Sequence, residues 1–152
     1  MKIRPYKIED LQIVSRLFYE TVHTVNASDY SEEQLFVWAK DTDSLKPRAE
    51  DLLMQNTLIA EKGGDIVGFD SIDSSGYLDL LFVHKDFQRQ GIATSLCNGL
   101  EKGYKVIKTY ASVTAKPFFE SRGFIVIKER EVERFGVRLK NFEMIKTVWG
   151  EE

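Results

Sequence analysis

The stretch His84-Lys85-Asp86-Phe87-Gln88-Arg89-Gln90-Gly91-Ile92-Ala93-Thr94 gathers two side-chain amides, a guanidinium and a bare backbone position just ahead of small and apolar residues. A helix starting near Gly91 would leave its first N–H groups without intrahelical partners, and the aligned peptide dipoles would add about half a positive charge at that end. Such an end binds anions, and Gly91 and Ala93 carry little that could fend a ligand off. The plain alternative is an ordinary strand-to-helix loop in which Gly91 serves only a backbone angle. A nucleotide-triphosphate loop does not match, because no Gly-Lys-Ser/Thr follows, and a dinucleotide fingerprint would need two more glycines.

Other residues invite an acid–base reading. Asp79 interrupts the apolar run Tyr77-Leu-Asp-Leu-Leu-Phe-Val83, where an unpaired charge would be costly to bury, and His23 has the intrinsic chemistry to exchange a proton near neutrality. Asp79 could equally face solvent or pair with a basic neighbour, and His23 could cap a helix end. Cys97, the only cysteine, falls on the apolar stripe Ile92, Leu96, Leu100 and reads as a small hydrophobe. It has no partner for an intrachain disulfide.

The elements that would position these groups follow from periodicity. Leu11, Val14, Phe18, Val22 and Val25 recur at helical steps and predict a helix from about residue 9 to 25. Ser31-Glu-Glu-Gln34 offers a capping box for a second helix, and Pro47 suits the first turn of a third, short one holding Leu52, Leu53 and Met54. The runs TLIAE, IVGFDSID and YLDLLFVH, separated by KGGD and SSG, predict an antiparallel meander. After the helix that follows Gly91, with Gly103 placed to close it, come a strand in YKVIKTYAS, a short helix in TAKPFFESRGF and two last strands in FIVIKEREVERFGVRLKNFEMIK. A strand, a helix and another strand in succession imply a crossover with one parallel pair. The expected fold is therefore α+β: a mixed sheet of about six to seven strands, antiparallel at its start with a parallel pair in the middle, and helices on both faces. Ligands in such sheets collect at the carboxyl ends of the parallel strands, which is where residues 84–94 fall.

Whole-chain properties restrict the function. With 152 residues, 43% hydrophobic and 30% charged, the chain reads as one domain spanning 1–152. A net charge of −3 argues against a nucleic-acid partner, and no apolar run approaches the ~20 residues that cross a bilayer. The opening residues lack the apolar centre of a signal peptide, so the expectation is a soluble, cytoplasmic protein without a membrane partner.

Gln88-Arg89-Gln90-Gly91-Ile92-Ala93, after a strand ending Leu-Phe-Val-His and before a helix, resembles the Q/R-x-x-G-x-G/A signature of the GNAT superfamily of acetyl-CoA-dependent N-acetyltransferases. SVTAKPFFESRGF resembles the second motif of that family, and the element order agrees over nearly the whole chain. TVHTVNASDYSEEQL, SVTAKPFFESRGF and LKNFEMIK are similar to its YafP-like branch. The resemblance implies that the backbone of Leu81, Phe82 and Val83 pairs with the pantetheine arm of acetyl-CoA. It also implies that the N–H groups of Gln88, Arg89, Gln90, Gly91, Ile92, Ala93 and Thr94 hold the pyrophosphate, with Arg89, Lys85 or Lys116 in reach of outer phosphates. Ser112 and Phe119 would flank the cofactor, and a backbone N–H on the Leu-Leu-Phe-Val strand, Val83 first, would meet the thioester carbonyl. Asp79 and His23 become candidate bases. His23, Tyr30 and Trp38 become candidate walls of the amine site, although core packing is the ordinary role of such a tryptophan.

Two positions depart from the family pattern. Phe119 stands where a tyrosine usually protonates the leaving sulfur, and phenylalanine has no proton to give. Ser112 stands where an asparagine is frequent. Water, Tyr110, Ser112 or Thr114 are then the candidate donors, and a coenzyme A thiolate is tolerable as a leaving group because thiols titrate near ~8.5. Asp29, Glu32, Glu33 and Asp79 suggest a cationic acceptor. The implied activity is acetyl transfer to a primary amine of a small molecule or protein by direct attack in a ternary complex, in a monomer or homodimer; the alternative is a non-catalytic acyl-CoA sensor. No metal is expected.

Overall fold

The protein was analysed as a computed structural model that describes residues 1–148. Seven strands form one sheet in the order β1-β2-β3-β4-β5-β7-β6: β1 (Lys2–Pro5), β2 (Asn56–Lys62), β3 (Asp65–Ile72), β4 (Tyr77–Val83), β5 (Val106–Ser112), β6 (Ile125–Arg134) and β7 (Val137–Thr147). Only β4 and β5 run parallel; every other neighbouring pair is antiparallel. Five α-helices cover it: α1 (Leu11–Thr24), α2 (Glu32–Trp38), α3 (Ala49–Met54), α4 (Ile92–Glu101) and α5 (Lys116–Ser121).

Most of these elements have local causes that the sequence announces. The Ser31 side chain accepts from the Gln34 N–H while the Gln34 side chain accepts from the Ser31 N–H, so α2 starts on the predicted capping box. Pro47 lies in a short 3-10 turn that leads into α3, and of its apolar residues only Leu52 is buried. The strand the sequence did not announce is β1. Four residues ending in proline give too little alternation to read, and Pro5, which has no N–H to donate, is tolerated because β1 is the edge of the sheet.

Alternation along the strands sorts the core into two layers. Val14, Leu17, Phe18 and Val22 of α1 pack with Leu35 and Leu52 onto Ile59, Phe69 and Leu80. On the opposite face Cys97 and Leu100 of α4 and Phe119 of α5 pack toward Ile72, Leu78, Ile107 and Met144, while Ile92 and Leu96 of α4 pack toward Ala60, Val67 and Val83. Cys97 is fully buried, and burial followed by the nearby Asp70 carboxylate pushes its thiol up to about 12. It behaves as the predicted small hydrophobe. Among the described residues no helix is long and apolar enough to cross a membrane.

Asp70 is the exception in this core. It is fully buried on β3, neither carboxyl oxygen has a hydrogen-bond partner among the described residues, and burial pushes its proton affinity well up, against the opposing pull of the Arg122 charge. A native state that holds a proton the unfolded chain releases near pH ~3.9 loses stability as pH rises above that value, until the native group itself ionises. Asp70→Asn removes that slope. The stability of the variant relative to the parent is expected to rise as pH is raised from 4 to 8, with the difference flattening toward pH 4. Urea unfolding at both pH values measures it, and parallel stability–pH curves would show that Asp70 is not the source.

Candidate active site

The parallel pair is short. β4 and β5 are in register only at Tyr77↔Lys108 and Leu78↔Thr109, after which β5 continues along β7 and β4 along β3. The β3–β4 register jumps from Ile72↔Leu78 to Ser71↔Leu80, so Asp79 is an extra residue that bends β4 away from β5. Beyond it, the His84 N–H donates to Val67 O at 2.8 Å and Phe82 stands opposite Phe69, which by alternation turns the backbone groups of Leu81 and Val83 toward the gap. The Gln88 side chain donates to one of them, Val83 O, at 2.6 Å. Leu81, Phe82 and Val83 therefore line an unpaired strand edge, the feature that lets an extended ligand pair as another strand.

At the mouth of this gap the chain turns into α4. Arg89 and Gly91 both have left-handed backbone, with φ of 62° and 83°. The first helical hydrogen bond runs from Ser95 N–H to Gly91 O at 3.0 Å, which leaves the N–H groups of Ile92, Ala93 and Thr94 without intrahelical partners. Two left-handed residues beside a helix start make a concave set of backbone donors suited to an anion. A side chain at Gly91 would meet no heavy atom within 4 Å, so the space in front of the helix is open. Gln90 stands apart from the cradle: its side chain accepts from Lys62 Nζ at 2.7 Å, leaving only its backbone available there. His84 accepts the Asp86 N–H on Nδ1 at 3.0 Å and ends the strand.

Gap and cradle belong to one cleft of about 980 Å³ that continues onto the α1–α3 face of the sheet. Asp79, Tyr110, Ser112, Phe119, Tyr30 and Trp38 all line it. His23 does not. Its Nε2 donates to Ala39 O at 2.7 Å and its ring lies against Tyr19, so it fastens the end of α1 to the end of α2 and is neither the base nor a wall of the cleft. Asp79 is ion-paired with Arg48 through both guanidinium nitrogens, and Gln55 reaches it at 3.5 Å. The pair draws the Arg48 proton affinity up, and it occupies the carboxylate that a base would need free. Tyr30 accepts from Val113 N–H at 2.9 Å and donates to Lys140 O at 2.6 Å, a clamp across the ends of β5 and β7. Thr114 donates to Asp29 at 2.8 Å, and Asp29 itself does not line the cleft.

Ser112 accepts from Ala115 N–H at 3.0 Å and from Asn26 at 3.4 Å, so it caps the turn into α5 with its own proton uncommitted. Tyr110 makes no side-chain hydrogen bond among the described residues; its ring is held between Tyr77, at 5.6 Å, and the Arg130 guanidinium, at 3.8 Å. Phe119 is buried against Phe118 and Phe124.

The splayed parallel pair, the bulge and the anion cradle, all within one mixed sheet, agree with what the comparisons find. Residues 26–146 match the acetyltransferase (GNAT) domain family. The chain belongs to the GNAT family of acetyltransferases. It is 34% identical over 144 residues to YafP of Escherichia coli K12, an uncharacterized N-acetyltransferase, covering 95% of this chain and 94% of YafP, which places it in the YafP-like branch. A GCN5-related N-acetyltransferase from Rhodopseudomonas palustris superposes with a TM-score of 0.91 at 34% identity, over 97% of this chain and 95% of that one. The PaiA N-acetyltransferase of Thermoplasma acidophilum, solved with coenzyme A, shares the fold at a TM-score of 0.77 and 20% identity, over 97% and 98%.

Among the polar residues of the GNAT cleft that the sequence left unremarked are Thr21, Arg48, Tyr77, Arg130 and Arg134. Burial, followed by the Asp79 charge, pushes the Tyr77 phenol up to about 12, so it stays a donor at any physiological pH. Tyr77 adjoins the strand that drew attention, and its position was a usable signal. Arg130 sits in the run KEREVER, where both strand faces carry charge and alternation cannot pick one.

Proposed function

We propose that this GNAT protein is an acetyl-CoA-dependent N-acetyltransferase that transfers acetyl to a primary amine by direct attack in a ternary complex. The observation that carries the reading is the unpaired edge of β4 ending at the Gly91 cradle: one open strand for the amides of a pantetheine arm, and one set of helix-start N–H groups for its diphosphate. The PaiA relative, solved with coenzyme A, supports the same use of the shared fold.

Bound acetyl-CoA supplies an activated thioester. The chain's share is positioning and polarisation. Leu81 and Val83 direct N–H groups into the gap, Leu81 the deeper of the two, and either is available to donate where negative charge builds on the carbonyl oxygen. The cleft aligns the neutral amine against the carbonyl carbon, which removes a large entropic cost, and with Asp79 and His23 engaged elsewhere the protons its nitrogen sheds pass to water. The Arg48–Asp79 pair fixes the bulge at the apex and does not act as the base. Of the predicted proton donors, Thr114 is committed to Asp29, while the Tyr110 and Ser112 hydroxyls remain free to donate to the departing sulfur. Phe119 supplies packing where a donor is usual in the family, which is the specific ground for the rival reading as an acyl-CoA sensor.

Thiol release from acetyl-CoA across a panel of amines separates the two. The enzyme reading expects acetyl-CoA binding and amine-dependent release, reduced about 10-fold or more in Tyr110→Phe or Ser112→Ala if that hydroxyl is the acid. Tight binding with no release on any amine would establish the sensor.

A further inference from the structure

The acceptor half of the cleft is cationic in a protein whose net charge is −3. Asp79 is the single carboxylate lining the cleft among the described residues, and Arg48 already neutralises it. Arg89 belongs to the cradle, Lys140 pairs with Glu129 at 3.4 Å, and Arg134 at the end of β6 lines the cleft with its side chain exposed and held by no hydrogen bond among the described residues. Arg130 is different. Its Nε donates to Asn141 Oδ1 at 3.1 Å and its guanidinium lies over the Tyr110 ring at 3.8 Å, yet no carboxylate pairs with it among the described residues.

Those two contacts fix the plane of the guanidinium and leave its terminal N–H groups unspent. A half-buried arginine held this way has already given up the side-chain freedom that binding would cost, and its fork matches a carboxylate or phosphate. Its location separates it from the diphosphate cradle. Ile107 and Ala111 of β5 point into the core beneath α4 and α5, so Tyr110, between them in sequence, points to the opposite face and carries Arg130 with it. On that face Thr21 lines the same cleft with a buried hydroxyl that has no partner among the described residues. A buried hydroxyl without a partner is uncommon, and this one leaves a hydrogen-bonding position open on that face.

We infer that the acceptor amine carries an anionic group, a carboxylate or phosphate, held by Arg130 stacked on Tyr110. This replaces the cationic acceptor that the acidic residues suggested, because Arg48 neutralises Asp79 and, among the described residues, Asp29, Glu32 and Glu33 do not line the cleft. The inference rests on the acetyltransferase reading and refines its substrate class.

Matched amines that differ only in the anion test it: phenylalanine against phenethylamine, lysine against cadaverine, and O-phosphoethanolamine against ethanolamine, the last pair separating phosphate from carboxylate. The parent protein is expected to favour an anionic member by about 10-fold or more in kcat/KM. Arg130→Met should raise KM for that member at least ~10-fold more than for its counterpart without the anionic group, with Arg130→Lys recovering part of the loss. Calorimetry with acetyl-CoA accompanies each variant. Preference for the amines without an anionic group, equal losses on both members, or a loss of acetyl-CoA affinity in Arg130→Met would each overturn the inference. If acetyl-CoA binds and no amine is turned over, the acetyltransferase reading fails by itself, and thermal shifts of the coenzyme A-loaded protein with the same three matched pairs still decide the anion preference. Selective stabilisation by an anionic member that Arg130→Met removes would support it, and equal shifts within all three pairs would sink it.

Discussion

Gly91→Glu is expected to remain folded and to lose at least ~100-fold in coenzyme A affinity, which corresponds to about 2.7 kcal/mol. The folding half of that statement follows from the geometry at Gly91. An added Cβ meets no heavy atom within 4 Å, so the cost is confined to placing an L-residue at φ 83°, on the order of 1–2 kcal/mol. The binding half follows from charge. A carboxylate at the helix start competes for the N–H groups of Ile92, Ala93 and Thr94 and repels the diphosphate they would hold. Hydrogen bonds to charged groups are worth about 1.5–3 kcal/mol each, so losing one or two of them reaches the stated factor. Gly91→Ala is the control, because it brings the same backbone strain without the charge and should lose far less affinity. Calorimetric titration of both variants measures the difference.

The second large effect lies at the apex of the gap. Gly76 has φ 93°, and a Cβ there would stand 2.6 Å from Val106 O, a backbone atom with little room to move. Its carbonyl accepts the Lys108 N–H at 3.0 Å where β4 and β5 join. Gly76→Ala therefore combines left-handed strain of about 1–2 kcal/mol with an overpacking cost of about 1–3 kcal/mol. Chemical denaturation should show a loss on the order of 3 kcal/mol, and the melting temperature should fall by roughly 10 °C for a domain of this size. Because the same junction sets where the two strands diverge, acetyl-CoA binding should weaken in the folded fraction as well. A melting temperature within about 2 °C of the parent would show that the β4–β5 apex does not depend on this contact.

The parts of the molecule that were readable from sequence share one property: their causes are local. The capping box at Ser31 and Gln34, the meander of β2 to β4 and the crossover through α4 each depend on residues close together in the chain. The cradle is the same kind of object, a contiguous stretch whose backbone carries the chemistry. The acceptor side is different. Thr21 comes from α1, Arg48 from the turn before α3, Tyr77 from β4 and Arg130 from β6, and only the tertiary fold brings them to one cleft. Asp79 shows the limit clearly. Sequence marked it as a charge that needs a partner or a purpose, and the partner proved to be Arg48, 31 positions earlier. His23 was placed near the right loop, but the 2.7 Å contact with Ala39 O turns it from the cleft into the packing of α1 on α2.

The central claim is that the N–H groups at the start of α4 hold the diphosphate of coenzyme A while its arm lies along the open edge of β4. Backbone amide NMR during titration with coenzyme A tests this most directly. The account predicts that the Ile92, Ala93 and Thr94 amides move strongly downfield at saturation, that the Leu81 and Val83 amides shift with them, and that Gly91→Glu abolishes both changes. Saturable binding with those five amides unmoved would contradict it.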